Sequence, residues 1–448
     1  MPQLIEETPP QELVGGTLAV PVETPASVSQ ADGPREGRNF IFLMIHQVLF
    51  RIGWIFKTES IIMPAVMDFI GGGPVMRSSL MVFNRLGFSV PQVLFARRLK
   101  VLPSKKWAVT VGSFAMAIPF TILAIIWANG WWQAADGSPA VWMPYLFLAL
   151  YAVFFCTTGM NQLAAHALQG KLIRANLRGR LFAATVLVGA PTSILAAWYF
   201  LPGWLADPTT GFVYIFAAPA LGFALASMFV AMTVEEPDGF QEVITPLWQR
   251  FQNAWNTSKE NPNFARLAVV AVLFSATFMM FPHYQTLGRG EDEVSMTVLM
   301  KWVCVQHIAV AIFSLIIGPL ADWLGNRAAL RLTLFGASLA PLMAVVLSLL
   351  PEEVSRQWYW LMFAPIGFTP VTMRILINYT LEVAPASEHP RYVSAVSMCL
   401  ALPVIFGAVP VGVLIRWTGY TPIFAFGAIA LMLATLQTFR LAEPRHAA

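Results

Sequence analysis

The chain has 448 residues, of which 57% are hydrophobic and 12% are charged, and its formal net charge is +4. An average soluble domain carries about twice that fraction of charged residues, so the composition excludes an ordinary water-soluble globular protein. It indicates instead an integral membrane protein.

Residues 1–38 differ in composition from the rest of the chain. Acidic side chains outnumber basic ones there, prolines recur, and no aromatic side chain occurs before Phe40. Because such a segment has too little apolar surface to offset the entropy lost on folding, we predict a disordered cytoplasmic tail. It also lacks the basic start and short apolar core of a signal peptide.

Long apolar runs follow, separated by short segments rich in charge, glycine or proline. A helix needs roughly 20 apolar residues to cross about 30 Å of hydrocarbon. On that criterion the sequence predicts an all-α, polytopic membrane protein with twelve transmembrane helices. The predicted spans are 40–67, 75–96, 107–129, 142–168, 181–203, 212–234, 265–287, 297–317, 328–350, 358–383, 392–414 and 421–440.

Lysine and arginine are concentrated in alternate predicted loops, as is typical of loops on the cytoplasmic side of a membrane. Placing both termini inside puts the basic loops after spans 2 and 4 in the cytoplasm and leaves four arginines outside. We therefore expect a multi-pass protein of the cytoplasmic membrane with both termini cytoplasmic. The net positive charge then reflects topology, and we expect no nucleic-acid partner.

The longest predicted internal loop, residues 235–264, divides the spans six and six. Apolar side chains recur in it at three- and four-residue spacing, which predicts an amphipathic helix at the membrane surface. We expect five segments in all. They are the tail at 1–38, an N-terminal six-helix half at 39–234, a cytoplasmic linker at 235–264, a C-terminal six-helix half at 265–442 and a second cytoplasmic tail at 443–448.

The segment GPLADWLGNR, residues 318–327, joins the eighth and ninth predicted spans. Its aspartate, Asp322, can accept hydrogen bonds from the N-terminal end of a neighbouring helix, where free amides and the helix dipole favour negative charge. A weak internal repeat indicates that this helix is span 5. Closing the contact would shut a cytoplasmic gate; the alternative is a static turn with a solvated aspartate. The predicted gating residues are Gly318, Asp322, Gly325, Arg327, Arg178, Arg180, Glu382 and Arg391.

Several ionisable side chains lie inside the predicted spans, where they are costly and usually face the bundle interior or water. On a regular helix Gln47, Arg51 and Trp54 share one face of span 1. Bases outnumber acids among these side chains, which favours an anionic or zwitterionic solute; the alternative is that the charges pair helices or, for Lys301, reach the membrane surface. The candidate cavity residues are Gln47, Arg51, Trp54, Lys57, Glu59, Arg85, Lys301, His307, Arg374 and Asn378.

Motifs of enzymes and pumps are missing from the sequence. Neither a GxxxxGK[ST] phosphate loop nor an HExxH metal motif occurs. Cys156, Cys304 and Cys399 lie in three different spans, which suggests neither disulfides nor a thiolate metal site. We therefore predict no cofactor, no metal and no enzymatic activity.

The extended segment GPLADWLGNRAAL, residues 318–330, resembles the loop signature of the major facilitator superfamily, the twelve-span secondary transporters. The run NYTLEVAPASEHPRYVSAV, which begins at Asn378, resembles a pattern of some bacterial members. The superfamily has its best signature copy after span 2, whereas this chain keeps only the basic Lys105 and Lys106 there. The resemblance covers roughly residues 40–442 and implies two six-helix bundles, a central site between them and alternating access.

The function so implied is a secondary transporter, expected to be a monomer in the lipid bilayer, that moves a small solute. Coupling to protons stays open. A passive facilitator is one alternative, and it would exchange solute without accumulation or pH dependence. A transport-inactive scaffold or sensor with the same fold is the other.

Overall fold

The computed structural model describes residues 33–237, 261–290, 295–385 and 388–443. Within these ranges the chain is built from helices, and eleven of them are long and apolar enough to cross a membrane. The predicted all-α, polytopic fold class is therefore confirmed. The helix corresponding to the second predicted span is not among the eleven, so the count of twelve stays a prediction. The predicted linker helix lies outside the described residues.

The helices before the linker form the first half of the molecule. They are α1 (Gly33–Phe56), α2 (Ile62–Phe69), α3 (Pro74–Val101), α4 (Lys105–Ala128), α5 (Met143–Leu172), α6 (Ala175–Ala206) and α7 (Pro208–Ala231). Helix α1 begins inside the segment predicted to be a disordered tail, whose earlier part lies outside the described residues. Among the seven, α4 packs along α5 and α7, and α1 packs on α6 and α7.

The helices after the linker form the second half. They are α8 (Pro262–Phe274), α9 (Ala276–Arg289), α10 (Val298–Leu324), α11 (Asn326–Ser348), α12 (Glu352–Trp358), α13 (Phe363–Ile366), α14 (Phe368–Val383), α15 (His389–Thr418) and α16 (Thr421–Gln437). Short 3-10 turns cover Tyr359–Met362 and Thr438–Arg440. Helix α11 packs on α14 and α16.

The predicted first span is broken in two, as α1 and α2. Pro64 lies in the first turn of α2, and a proline ring clashes with the carbonyl four residues earlier, so a continuous helix cannot pass Ser60. The carbonyl of Thr58 accepts the amides of Ile62 and Met63 at 2.9 and 3.1 Å, and the hydroxyl of Thr58 donates to the carbonyl of Ile55 at 2.6 Å. These bonds satisfy the backbone at the break.

Two other spans are interrupted. The predicted seventh span is α8 followed by α9, with the break at Ser275, and the predicted tenth span changes helix type between Tyr359 and Gly367. Spans 1 and 7 hold corresponding positions in the two halves. Interrupted helices at corresponding positions of two repeats are the usual sign of a binding site near the middle of the membrane.

The two halves meet along helices α3 and α6 of the first half. Helix α3 packs against α9 and α15, and α6 packs against α10. At one end the approach is close, because a Cβ added to Gly412 would lie only 2.6 Å from the hydroxyl oxygen of Ser78. We call the face where α1 begins and α16 ends the terminal face, and the opposite face, which includes Gly412, the outer face.

Candidate functional site

A cavity of about 1120 Å³ lies between the two halves. Helices α1, α3, α5 and α6 line it on one side, and α9, α10, α14 and α15 on the other. Its lining reaches Val393 and Ser394, in the first two turns of α15 and therefore near the terminal face. The volume lies slightly above the roughly 300–1,000 Å³ typical of a pocket for a small organic molecule, so such a solute fits inside it.

The structure brings six of the ten predicted cavity residues to this lining. They are Gln47, Arg51, Trp54, Glu59, Arg85 and His307. The other four lie elsewhere. Lys57 is buried behind the cavity wall, Lys301 is exposed with its Nζ 4.5 Å from the ring centroid of Trp360, and Asn378 is exposed on α14. The guanidinium of Arg374 lies 4.0 Å from the ring centroid of Phe182, so this pair bridges the two halves.

Lys57 is enclosed by aromatic rings at the break in the first span. Its side chain is 0% exposed, and its Nζ lies 3.1 Å from the ring centroid of Trp54 and 4.7 Å from those of Phe154 and Phe155. The same Nζ donates to Glu59 Oε1 at 2.7 Å. A buried ammonium is costly unless it is paired, and here the carboxylate and the three ring faces supply the pairing.

Glu59 is the acid that faces the cavity beside Lys57. Its second oxygen, Oε2, accepts a short hydrogen bond from the amide of Asn84 on α3. The neighbouring residue Ser60 donates to Gln306 Oε1 on α10 at 2.7 Å, which ties the break in span 1 to the second half. Both carboxylate oxygens of Glu59 are thus occupied by side chains of the protein.

Arg85 follows Asn84 on α3 and points at the second half. Its guanidinium carbon lies 3.6 Å from the ring centroid of Phe278 on α9. Among the described residues it forms no ion pair, and its buried Nε has no hydrogen-bond partner. Glu59 is close enough for its charge to act on Arg85, but its oxygens are taken by Lys57 and Asn84.

Arg51 is the second guanidinium of the cavity wall. No ion pair or hydrogen bond joins its side chain to any residue that the structure describes. It lies near His307 and Arg374 of the second half. Gly189 of α6 makes room for its stem, since a Cβ there would lie 3.2 Å from Arg51 Cδ. Three basic groups therefore converge from α1, α10 and α14.

A buried polar cluster closes the cavity toward the outer face. Arg77, in the first turn of α3, pairs with Asp68 at the end of α2 and donates to the hydroxyls of Thr286 and Tyr420 at 2.6 and 2.9 Å. Asp68 Oδ2 in turn accepts from Gln285 and Thr286 at 2.6 and 2.8 Å. Since Asp68 and Arg77 belong to the first half and the other three to the second, the cluster holds the halves together at this face.

The predicted gating loop is shaped by its second glycine. Helix α10 continues through Asp322, which is exposed, and ends at Leu324; Gly325 follows with a φ of +87°. That left-handed conformation favours glycine. Gly318 lies within α10, where an added Cβ would have no neighbour within 4 Å. Helix α10 packs against α6, the helix predicted to receive Asp322.

The other predicted gating residues mainly tie helix ends within one half. Arg178 donates to the carbonyls of Ile173 and Gly170 at 2.9 and 2.6 Å, and Arg180 is exposed.

In the second half Arg327 pairs with Glu443 at 3.1 Å. Nearby, Asn326 donates to Glu382 Oε1 at 2.7 Å, and Arg391 pairs with Glu388 at 3.1 Å.

Glu235, which was not among the predicted site residues, accepts hydrogen bonds from the loop after α3. Glu235 accepts the amides of Lys105 and Lys106 at 2.8 and 2.7 Å, the hydroxyl of Ser104 at 2.7 Å and the ammonium of Lys171 at 3.0 Å. Burial alone would raise the pKa of Glu235, but these donors outweigh it and the pKa is lowered. The acid that this loop lacks is therefore supplied from the end of α7.

Sequence reasoning missed the partners that decide what these charges do. Asn84, Ser60 and Gln306 are polar residues inside apolar spans, and that signal alone could have identified them. The cluster around Asp68 and Arg77 was missed because its members come from three helices, α2, α3 and α9, and from the turn before α16.

Comparison with known proteins places the fold. No family model and no curated protein matches the sequence. Solved structures do match. A mutant of the nucleoside transporter NupG is 11% identical with a TM-score of 0.68, over 90% of this chain and 99% of that chain. The D-xylose-proton symporter is 12% identical with a TM-score of 0.65, over 91% and 98% of the two chains.

The POT family transporter PepTSo is 11% identical with a TM-score of 0.64, over 92% of this chain and 98% of that chain. At such identities the likeness concerns the fold alone, and it extends over nearly the whole length of each structure. The interrupted spans and the cavity between two halves agree with it. The chain therefore has the fold of the major facilitator superfamily.

Proposed function

We propose that the chain is a secondary transporter that moves a small anionic solute through the central cavity by alternating access. The observation that carries the proposal is the charge of the cavity wall. Arg51 and Arg85 both face the cavity without an ion-pair partner among the described residues, while the acid beside them, Glu59, is occupied by Lys57. Uncompensated charge is costly in a low-dielectric site, so an anion stabilises it.

Alternating access is supported by the asymmetry of the two faces. The polar cluster around Arg77 joins the halves at the outer face, whereas the cavity lining extends to Ser394 near the terminal face. A solute that bridges Arg51 of the first half and His307 of the second would favour closure around itself. Binding energy of this kind is what shifts a two-state equilibrium.

Thermal stability of the purified protein with a panel of small organic anions, cations and neutral solutes tests the proposal. A ligand that binds only the folded state raises the apparent melting temperature. We expect anions to do so, Arg51→Ala to abolish the effect, and Arg416→Ala, an exposed arginine at the end of α15, to leave it intact.

Flux in proteoliposomes then separates the remaining possibilities. Accumulation of the bound anion against its gradient supports a coupled transporter, and a dependence on the pH gradient identifies the proton as the coupling ion. Exchange without accumulation indicates a facilitator. Binding without any flux would overturn transport and favour a scaffold or sensor.

A further inference from the structure

The geometry around Lys57 points to a substrate class, and this inference rests on the proposed function. We infer that Lys57 is a positioning residue that occupies Glu59, so that both Arg51 and Arg85 stay available to the solute, and that the solute is accordingly an organic dianion. Lys57 reaches neither the cavity nor the solute. It acts through the acid that it holds.

Lys57 is buried behind the cavity wall. Its ammonium is sealed from the cavity by the ring of Trp54, which lines the cavity while Lys57 does not. A residue with no access to solute or water is an expensive way to fill space, since a methionine of similar length would pack among the same rings without a charge. The charge itself is what the site uses, and its partner is Glu59.

Two cations, Lys57 and Arg85, compete for the carboxylate of Glu59. Its Oε1 accepts from Lys57 and its Oε2 from Asn84, the residue that precedes Arg85 on α3, and its charge acts on Arg85. Without Lys57, Glu59 would still attract the guanidinium of Arg85, on which its charge already acts. A guanidinium forms strong two-point hydrogen bonds with a carboxylate. With Lys57 present, Arg85 instead stacks on Phe278 and keeps an unpaired Nε.

The charge left for the solute is positive. The group formed by Arg51, Lys57, Glu59 and Arg85 contains three cations and one anion, so two positive charges are uncompensated at the cavity wall. Arg374, which lies near Arg51, packs on the ring of Phe182 and does not line the cavity. The two uncompensated charges sit on separate helices, α1 and α3. Each guanidinium can bind one carboxylate, or the two can share one doubly charged phosphate. Both solutes are dianions, and the test distinguishes them.

Matched acids measure this preference. Malonate, succinate, glutarate and adipate are compared with their monoamides and diamides, and glycerol phosphate with the monoanionic glycerol sulfate and with glycerol, by titration of the purified full-length protein. We expect the wild type to bind a dianion about tenfold or more tightly than its matched monoanion, because one charge-assisted contact is added. A preference confined to glycerol phosphate identifies the single phosphate group, and one among the diacids identifies two carboxylates.

Three variants separate positioning from a merely structural role. In Lys57→Met, Glu59 pairs with Arg85, so the preference for the dianion falls to about the value in Arg85→Ala while the affinity for the monoanion is unchanged. Combining Lys57→Met with Arg85→Ala leaves Glu59 with neither cation and only Arg51 to balance its charge, so binding of the monoanion weakens as well, which Lys57→Met alone does not cause. Combining Lys57→Met with Glu59→Gln restores the preference, since a neutral amide no longer holds Arg85.

A preference that survives Lys57→Met, or one that Glu59→Gln fails to restore, would overturn the inference and leave anion transport standing. A wild type that prefers the monoanion would overturn it as well. If no acid binds the wild-type protein, the proposed function fails together with it.

Discussion

Arg77, together with Asp68, joins the two halves at the outer face. It contacts Asp68 of its own half and Thr286 and Tyr420 of the other, and its side chain is only 3% exposed. Hydrogen bonds to charged groups contribute more than neutral ones, and a buried acid left without its base is strongly destabilising. The conformation closed at the outer face is therefore stabilised by this guanidinium.

We predict that Arg77→Met opens the outer face. The closed conformation should lose roughly 3 kcal/mol relative to the open one, because Asp68 loses its charged partner. Spin labels placed on the two halves at that face should then move apart. Arg416→Met, which removes an exposed arginine, is the control and should leave the distances unchanged. Unaltered distances in Arg77→Met would show that the cluster does not hold the gate.

At the scale of single residues, the sequence predicts which side chains reach the cavity better than it predicts the residues to which they bond. Gln47, Arg51 and Trp54 line the cavity from one face of α1, because α1 is a regular helix at these positions. Lys57 and Glu59 are separated by one residue and would point to opposite sides of such a helix. Their side chains meet nevertheless, with 2.7 Å between Lys57 Nζ and Glu59 Oε1. The break imposed by Pro64 changes their relative direction, and helical periodicity carries no information about that.

At the scale of the element, the hairpin between α10 and α11 depends on one backbone conformation. Gly325 has a φ of +87°, and an added Cβ would lie 3.0 Å from Glu443 Oε1. The seven residues from Gly318 to Leu324 remain helical, although the predicted span ended before them. Hydropathy locates the apolar part of a span, while the end of the helix is set by where a glycine can turn the chain.

We predict opposite effects of alanine at the two glycines of this segment. Gly325→Ala should destabilise the hairpin by about 1–2 kcal/mol, because a side chain is strained in the left-handed region. Gly318→Ala, in open space within α10, should be neutral or stabilising by up to about 1 kcal/mol, because alanine favours helix. Denaturation in mild detergent measures both. Equal effects would contradict the assignment of strain to Gly325.

At the scale of the whole molecule, the two faces of the protein are held by different means. The outer face is closed by side chains that cross between the halves. On the terminal face the described ion pairs of Glu235 and Glu443 each stay within one half. The proposed alternating access requires such an arrangement, in which each half moves as a rigid body.

We predict that Asp322→Ala lowers the rate of transport while membrane insertion and expression are unchanged. In the conformation closed at the terminal face, Asp322 would receive the amides at the start of α6, against which α10 already packs. Flux in proteoliposomes, corrected for the amount of protein, measures the effect, and Asp322→Asn should retain part of the rate. Uptake equal to wild type in Asp322→Ala would contradict the predicted contact between Asp322 and the start of α6.

The broken first span also bears on how the protein is made. A lysine or arginine at the centre of an inserting helix costs about 2.5–3.5 kcal/mol, and this segment contains Arg51, Lys57 and Glu59. The rings of Phe154 and Phe155 that enclose Lys57 are synthesised only several spans later. Glu59, however, leaves the ribosome two residues after Lys57. The nascent segment thus carries its own counter-ion, and two of its three charges are neutralised before the rest of the bundle exists.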